Sequence, residues 1–138
     1  MPTSADILLD TSAAIALVHD QHPAHDRALD TTRGRVLGLA GHAAYETYSV
    51  LTRLPGGARV TPGRAREIID RSFPTVAPLS AAAAAGAITT LADVGIAGGS
   101  VYDGLVGLAA RDAGLPLLTC DRRAMGTYAA LGIVVELI

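Results

Sequence analysis

Lysine is missing from this chain: all 11 basic residues among its 138 are arginine, against 13 acids and a net charge of −2. Without lysine there is no Gly-Lys-Ser/Thr phosphate loop, so a P-loop nucleotide enzyme is excluded. A receiver domain, which needs a lysine beside its phospho-acceptor acid, is excluded with it. Tryptophan is also absent, and aromatics make up only 4% of the residues. The core must therefore be built from Ala, Val, Leu and Ile, and few rings remain for stacking on a ligand. The single cysteine, Cys120, precludes an internal disulfide and fits a reducing compartment. The first six residues lack the basic-then-apolar profile of a signal peptide. The Ala-rich run over 79–92 is too short and too weakly apolar to cross a bilayer. The expectation is a cytoplasmic protein with no membrane partner.

Half of the residues are hydrophobic and the mean hydropathy is +0.37, which implies a further apolar face beyond the core and, most simply, a homo-oligomer. A slightly acidic balance does not by itself point to nucleic acid. The exclusive use of Arg suits bidentate phosphate contacts, however, and the balance turns slightly positive if four acids are committed to a metal. The length fits one domain over 1–138.

Aliphatic runs and helical patterns alternate along the chain. Strands are expected over 7–9, 36–40, 75–79, 115–119 and 133–137. Helices are expected over 12–19, from His22-Pro23 to 32, and over 42–54 with a stop at Pro55-Gly56-Gly57. A further helix opens at Thr61-Pro62, a cap followed by proline at the first helical position. Ser80 and Ser100 read as caps of two more helices, the second closed by Gly114, and Asp121 opens the last. Alternation of this kind gives an α/β domain with a mostly parallel sheet of about five strands.

Four acids stand out against this frame. Asp10 and Asp121 each follow an aliphatic strand, which places them at the carboxyl edge of a parallel sheet, where ligands bind. Each could equally be a helix cap, as could Asp103, three residues after Ser100 in a capping-box spacing. Glu46 lies mid-helix, where capping explains nothing and a solvated face is the alternative. Pooled in one crevice, four carboxylates repel unless a cation lies among them. Oxygen ligands without Cys or His call for Mg²⁺ or Mn²⁺, which activates water and offsets charge on a scissile phosphate. An aspartyl phosphatase of the haloacid-dehalogenase type wants a second acid two residues after the first, and Ser12 stands there instead.

Taken in order, Leu8-Leu9-Asp10-Thr11-Ser12, Tyr45-Glu46-Thr47-Tyr48, Tyr102-Asp103-Gly104-Leu105 and Leu117-Leu118-Thr119-Cys120-Asp121 resemble the PIN domain. Length and spacing are most like the VapC toxins of bacterial toxin–antitoxin pairs. The resemblance implies a three-layer α/β/α fold and a Mg²⁺- or Mn²⁺-dependent endoribonuclease that acts as a homodimer and is silenced by a cognate antitoxin. It also implies a catalytic and metal-binding quartet of Asp10, Glu46, Asp103 and Asp121, with Thr11, Ser12 and Thr119 in support. Gly104 departs from the alanine expected there, which loosens the helix slightly. The competing reading is a catalytically silent PIN-like RNA-binding or scaffold module.

Other charged residues are less specific. Arg53, seven residues after Glu46, shares its expected helix face and would contact phosphate or pair with an acid. Arg122 and Arg123 are candidate RNA contacts or plain surface charge. His19, His22 and His25 could line one face only of an unbroken helix, and Pro23 argues for two short ones. His42 reads as a helix-start residue.

Overall fold

The computed structural model describes residues 5–138; residues 1–4, part of the stretch read above for a signal profile, lie outside them. The described strands are β1 (Ile7–Leu9), β2 (Leu37–Ala40), β3 (Thr75–Ala77), β4 (Leu117–Thr119) and β5 (Val135–Leu137). They form a five-stranded sheet in the order β3-β2-β1-β4-β5, and every pairing is parallel. β1 is therefore central, and the residue that follows it, Asp10, emerges in the middle of the carboxyl edge. The helices are α1 (Thr11–Val18), α2 (His25–Thr32), α3 (Ala43–Leu51), α4 (Pro62–Ser72), α5 (Ala81–Asp93), α6 (Ser100–Ala113) and α7 (Met125–Ala130), with 3₁₀ turns at Gly56–Ala58 and Arg122–Ala124.

The sheet is covered on both faces, and its side chains divide with a period of two. Ile7, Leu9, Leu39 and Leu118 pack on Ala13 and Ala14 of α1 and on Phe73. Leu8 and Leu117 pack the other way, on Val106, Ala109 and Ala110 of α6 and on Tyr128 of α7. The small alanines let the helices lie close to the strands, as the aromatic-poor composition requires. Three layers, α/β/α, result.

Glycine has a definite task at one strand position. A Cβ on Gly38 of β2 would lie 2.7 Å from Leu8 Cδ2 and 2.9 Å from the Thr75 carbonyl oxygen. The leucine could turn aside, but a ladder carbonyl cannot. Gly38→Ala is therefore expected to destabilise the protein by about 1–3 kcal/mol, the usual cost of overpacking. The check is the midpoint of urea unfolding, which should fall with little change in slope.

Several sequence expectations need correction at helix starts. Thr61 and Ser80 do cap their helices, accepting from the backbone N–H of Arg64 and Ala83. Ser100 does not: Gly99 occupies the cap position without a side-chain bond, and Ser100 is already helical. The turn there is made by Gly98, whose φ of +60° suits glycine, so no serine cap is needed. The second helix begins at His25 rather than at His22-Pro23, with turns between it and α1. In that junction His22 Nδ1 accepts from the Ala24 N–H, and His25 Nδ1 bonds the Ala16 carbonyl. α3 ends at Leu51, closed by Thr52, whose hydroxyl donates back to the Tyr48 and Ser49 carbonyls. Arg53 thus lies past the helix on an exposed turn, and the expected shared face with Glu46 does not reach it. Asp121 opens a 3₁₀ turn before α7 rather than an α-helix directly.

Candidate active site

Because each helix that follows a strand starts at the carboxyl edge, the N-terminal ends of several helical segments meet there. Each of the four acids sits at one. Asp10 is the cap of α1, Asp121 caps the 3₁₀ turn after β4, and Glu46 and Asp103 occupy the first turns of α3 and α6. Glu46 is therefore not mid-helix as its sequence surroundings suggest. The partial positive charge of unsatisfied N–H groups at these ends offsets part of the carboxylate charge. This is how the fold can gather four acids without a basic partner for each.

Asp10 is the buried member, 3% exposed. Ser12 Oγ donates to its Oδ1 at 2.6 Å and the Ala13 N–H donates to the same oxygen at 3.0 Å, while Tyr128 Oη donates to Oδ2 at 2.8 Å. The cap reading and the site reading thus both hold: one oxygen caps the helix and the other faces a phenol. A carboxylate has about four lone-pair sites, so one further partner can still be accepted. Burial pushes the Asp10 carboxyl above the usual carboxylate range, against the pull of these donors.

Behind Asp10 runs a hydroxyl relay. Ser12 Oγ, which donates to Asp10, also lies 3.2 Å from Thr119 Oγ1, and the Thr119 hydroxyl adds to the pull that lowers the Asp10 pKa. Thr119 in turn accepts from the Asp121 N–H at 3.0 Å, and Ser12 accepts from the Cys120 N–H at 3.0 Å. Two of the three hydroxyls expected to support the acids therefore tie the end of β4 to the start of α1. Thr11 is the half-buried first residue of α1.

Asp103 has the opposite environment. Among the described residues no donor bonds its half-buried carboxylate. Burial raises its pKa first, and the charges of Asp10, Asp121 and Glu46 raise it further; Arg123 offsets this in part. All three other acids are thus near enough to be felt at Asp103. Among the described residues they do not close into a ready metal cage of three or more ligands. Glu46 Oε1 lies 3.6 Å from His42 Nε2, and Asp121 Oδ1 accepts from the Arg123 N–H at 3.0 Å with the Arg123 Nε at 3.4 Å. The Arg123 side chain is otherwise exposed, as is Arg122.

The hard oxygen donors, the charge repulsion at Asp103 and the spare acceptor site on Asp10 fit a divalent cation of the Mg²⁺ or Mn²⁺ type. Sequence reasoning missed Tyr128. Its only sequence signal is indirect: α6 carries a mid-helix glycine, Gly107, and a Cβ there would lie 3.2 Å from Tyr128 Cδ1. The departure at Gly104 has a similar cause, since a Cβ there would lie 2.6 Å from Leu91 Cδ2 of α5. Both glycines let α6 sit tightly against its neighbours and so fix the start of the helix, where Asp103 is.

The PIN domain matches residues 7–130, a span that contains all four acids and Tyr128. The chain belongs to the PIN-domain family. Relatives of this PIN domain include ribonuclease VapC27 of Mycobacterium tuberculosis, 40% identical over 127 residues that cover 92% of this chain and 93% of the relative. Ribonuclease VapC40 of the same species is 42% identical over 133 residues, covering 94% and 96%. Two solved structures share the fold. Mycobacterium tuberculosis VapC20, a sarcin–ricin loop cleaving toxin, has a TM-score of 0.67 at 23% identity and covers 93% of this chain and 96% of its own. A chain of Rickettsia felis VapBC2, solved bound to a DNA fragment from its promoter, has a TM-score of 0.67 at 12% identity and covers 96% and 98%.

Proposed function

We propose that this PIN domain is a VapC-type endoribonuclease toxin in which Asp10, Glu46, Asp103 and Asp121 form the catalytic site around Mg²⁺ or Mn²⁺. The observation that carries this reading is Asp103: a half-buried carboxylate without a donor, and within the electrostatic reach of three other acids, favours a positive partner. Asp10 and Asp103 would hold the ion, with Glu46 and Asp121 completing its surroundings. When bound, such an ion lowers the pKa of water and offsets charge on the phosphate.

The chain's own groups do the rest. Ser12, through the Thr119 relay, and Tyr128 hold Asp10 in one orientation, so its free lone pair has a fixed direction. Thr11 supports the same turn. Arg122 and Arg123, exposed beside Asp121, would meet RNA phosphates, and Arg53 would do so from the turn after α3. A cognate antitoxin is the proposed partner, and an acidic cup is an inviting site for one of its basic side chains. The domain is proposed to span 1–138 and to act as a homodimer in the cytoplasm. In support of a second copy, α5 leaves Ile88 83% exposed among alanines. No helix among the described residues is long and apolar enough to cross a membrane.

The test is cleavage of total bacterial RNA by the purified chain. Fragmentation is expected with Mn²⁺ or Mg²⁺, to stop in EDTA, and to return when the cation is restored. RNA binding without cleavage under any metal condition would favour the scaffold reading instead.

A further inference from the structure

The chain has five aromatic residues. Phe73 and Tyr128 are in the core, 2% and 0% exposed, whereas Tyr45, Tyr48 and Tyr102 are 74%, 39% and 54% exposed. All three exposed rings lie within two residues of Glu46 or Asp103 in the sequence. His42 joins two of them. Its ring stacks on Tyr102 with centroids 5.4 Å apart and planes 26° apart, and it meets Tyr45 edge-on at 6.3 Å. The same imidazole lies 3.6 Å from Glu46. Tyr45, His42 and Tyr102 therefore make a continuous ledge from α3 across to α6 along the rim of the acidic cup.

The ledge is open on its outer side. Tyr45 and His42 border an apolar hollow of about 210 Å³ with Val76, Pro78 and Leu79, room enough for a planar base. On its other flank Tyr45 meets a wider hollow of about 490 Å³ beside Tyr48 and Ile69.

Charge gives such a ledge a purpose. The protein is net negative and its reaction centre is a pool of carboxylates, so the phosphate contacts of a few arginines work against that charge. Contacts to the bases would add affinity that the charge balance does not oppose. Stacking on an aromatic ring contributes on the order of tenfold per base and tolerates any base identity. A base can reach such a ring only when it is unpaired.

We propose that Tyr45, His42 and Tyr102 form a nucleobase-stacking ledge that seats a base of the RNA beside the scissile phosphate. The assignment rests on the acidic cup being the reaction centre.

The experiment uses the full chain carrying Asp10→Asn, so that RNA survives the measurement. Binding is followed by fluorescence anisotropy with two probes, a short oligoadenylate and an abasic oligomer with the same phosphates. Tyr45→Ala and Tyr102→Ala are each expected to weaken oligoadenylate binding about tenfold and to leave the abasic oligomer unchanged. Tyr45→Phe and Tyr102→Phe are expected to keep parental affinity, because the ring face and not the hydroxyl is used. Melting temperatures of the four variants should match the parent, since both rings are more than half exposed. Equal losses on both probes, no loss on either, or no oligoadenylate binding by the parent overturns the proposal. So does loss of antitoxin binding with oligoadenylate binding intact, which would give the ledge to a protein partner. A separate failure, RNA cleavage that survives Asp10→Asn, would remove the acidic site and leave the stacking result readable.

Discussion

Asp10→Asn is expected to lower RNA cleavage by about 10²–10⁴-fold while raising the melting temperature of the metal-free protein at neutral pH. The loss of activity follows if Asp10 is, as proposed, the central carboxylate that holds the cation. Several kcal/mol of transition-state stabilisation depend on that ion, and each factor of ten in rate corresponds to about 1.4 kcal/mol. The gain in stability follows from burial. Asp10 is 3% exposed and its folded pKa is raised above the unfolded value by desolvation. An acid raised in this way contributes stability that is fully present below its unfolded pKa and is lost as pH rises through the folded one. At neutral pH in EDTA the wild type therefore bears the cost of keeping that charge buried or of taking up a proton, which the donors around Asp10 do not fully offset. Asparagine keeps an acceptor for Ser12 and the Ala13 N–H and carries no charge. Each kcal/mol recovered moves the melting temperature by about 2–5 °C in a domain of this size. Thermal melts in EDTA at pH 7 and pH 4 check this: the variant should lead at pH 7, and its lead should shrink or reverse at pH 4. Added Mn²⁺ should raise the melting temperature of the wild type far more than that of the variant. Undiminished cleavage, or a variant that melts below wild type at pH 7, contradicts the assignment.

The acids were legible because each stands where a simple local pattern breaks. Asp10 and Asp121 interrupt aliphatic runs, and a parallel sheet sends every such interruption to the same edge. Glu46 and Asp103 were legible as residues but not as positions. A mid-helix placement was read for Glu46 from its apolar neighbours, although the helix starts where expected, after His42, and Glu46 falls in its first turn. A capping box was read for Asp103 because Ser100 offered one, whereas glycine at 98 and 99 made the turn without it. The five strands and their parallel pairing were accessible from alternation, although four of the five aliphatic runs are longer than their ladders; 115–119, for example, pairs only over Leu117–Thr119. Contacts that join distant segments were not accessible. The Tyr128 hydroxyl and Asp10 are separated by 118 positions, and the bond follows no motif. The division of five aromatics into two core rings and three rim rings likewise depends on which faces the helices bury.

Tyr128→Phe shows what that distant contact contributes. The ring is fully buried, and its hydroxyl donates to a buried carboxylate at 2.8 Å. Phenylalanine fills the same space, so packing is kept and only the donor is removed. A hydrogen bond to a charged group contributes about 1.5–3 kcal/mol, and the expected loss in unfolding free energy at neutral pH is of that size. The donor lowers the Asp10 pKa, so without it that pKa rises further above its unfolded value. The destabilisation should therefore be largest at neutral pH and shrink on acidification, as Asp10 takes up a proton in both proteins. In an Asp10→Asn background the same substitution should have a much smaller effect, giving a coupling energy of about 1–3 kcal/mol in a double-mutant cycle. A purely structural tyrosine would show neither the pH dependence nor the coupling. The reaction gives an independent readout. Tyr128 touches Asp10 and not the substrate, so it acts by positioning the carboxylate. Loss of an outer hydrogen bond of this kind typically weakens metal affinity 10–100-fold, roughly the rise expected in the Mn²⁺ concentration for half-maximal cleavage. The rate at saturating Mn²⁺ should change far less. A fall in that rate with no change in metal requirement would instead place the phenol at the reacting atoms.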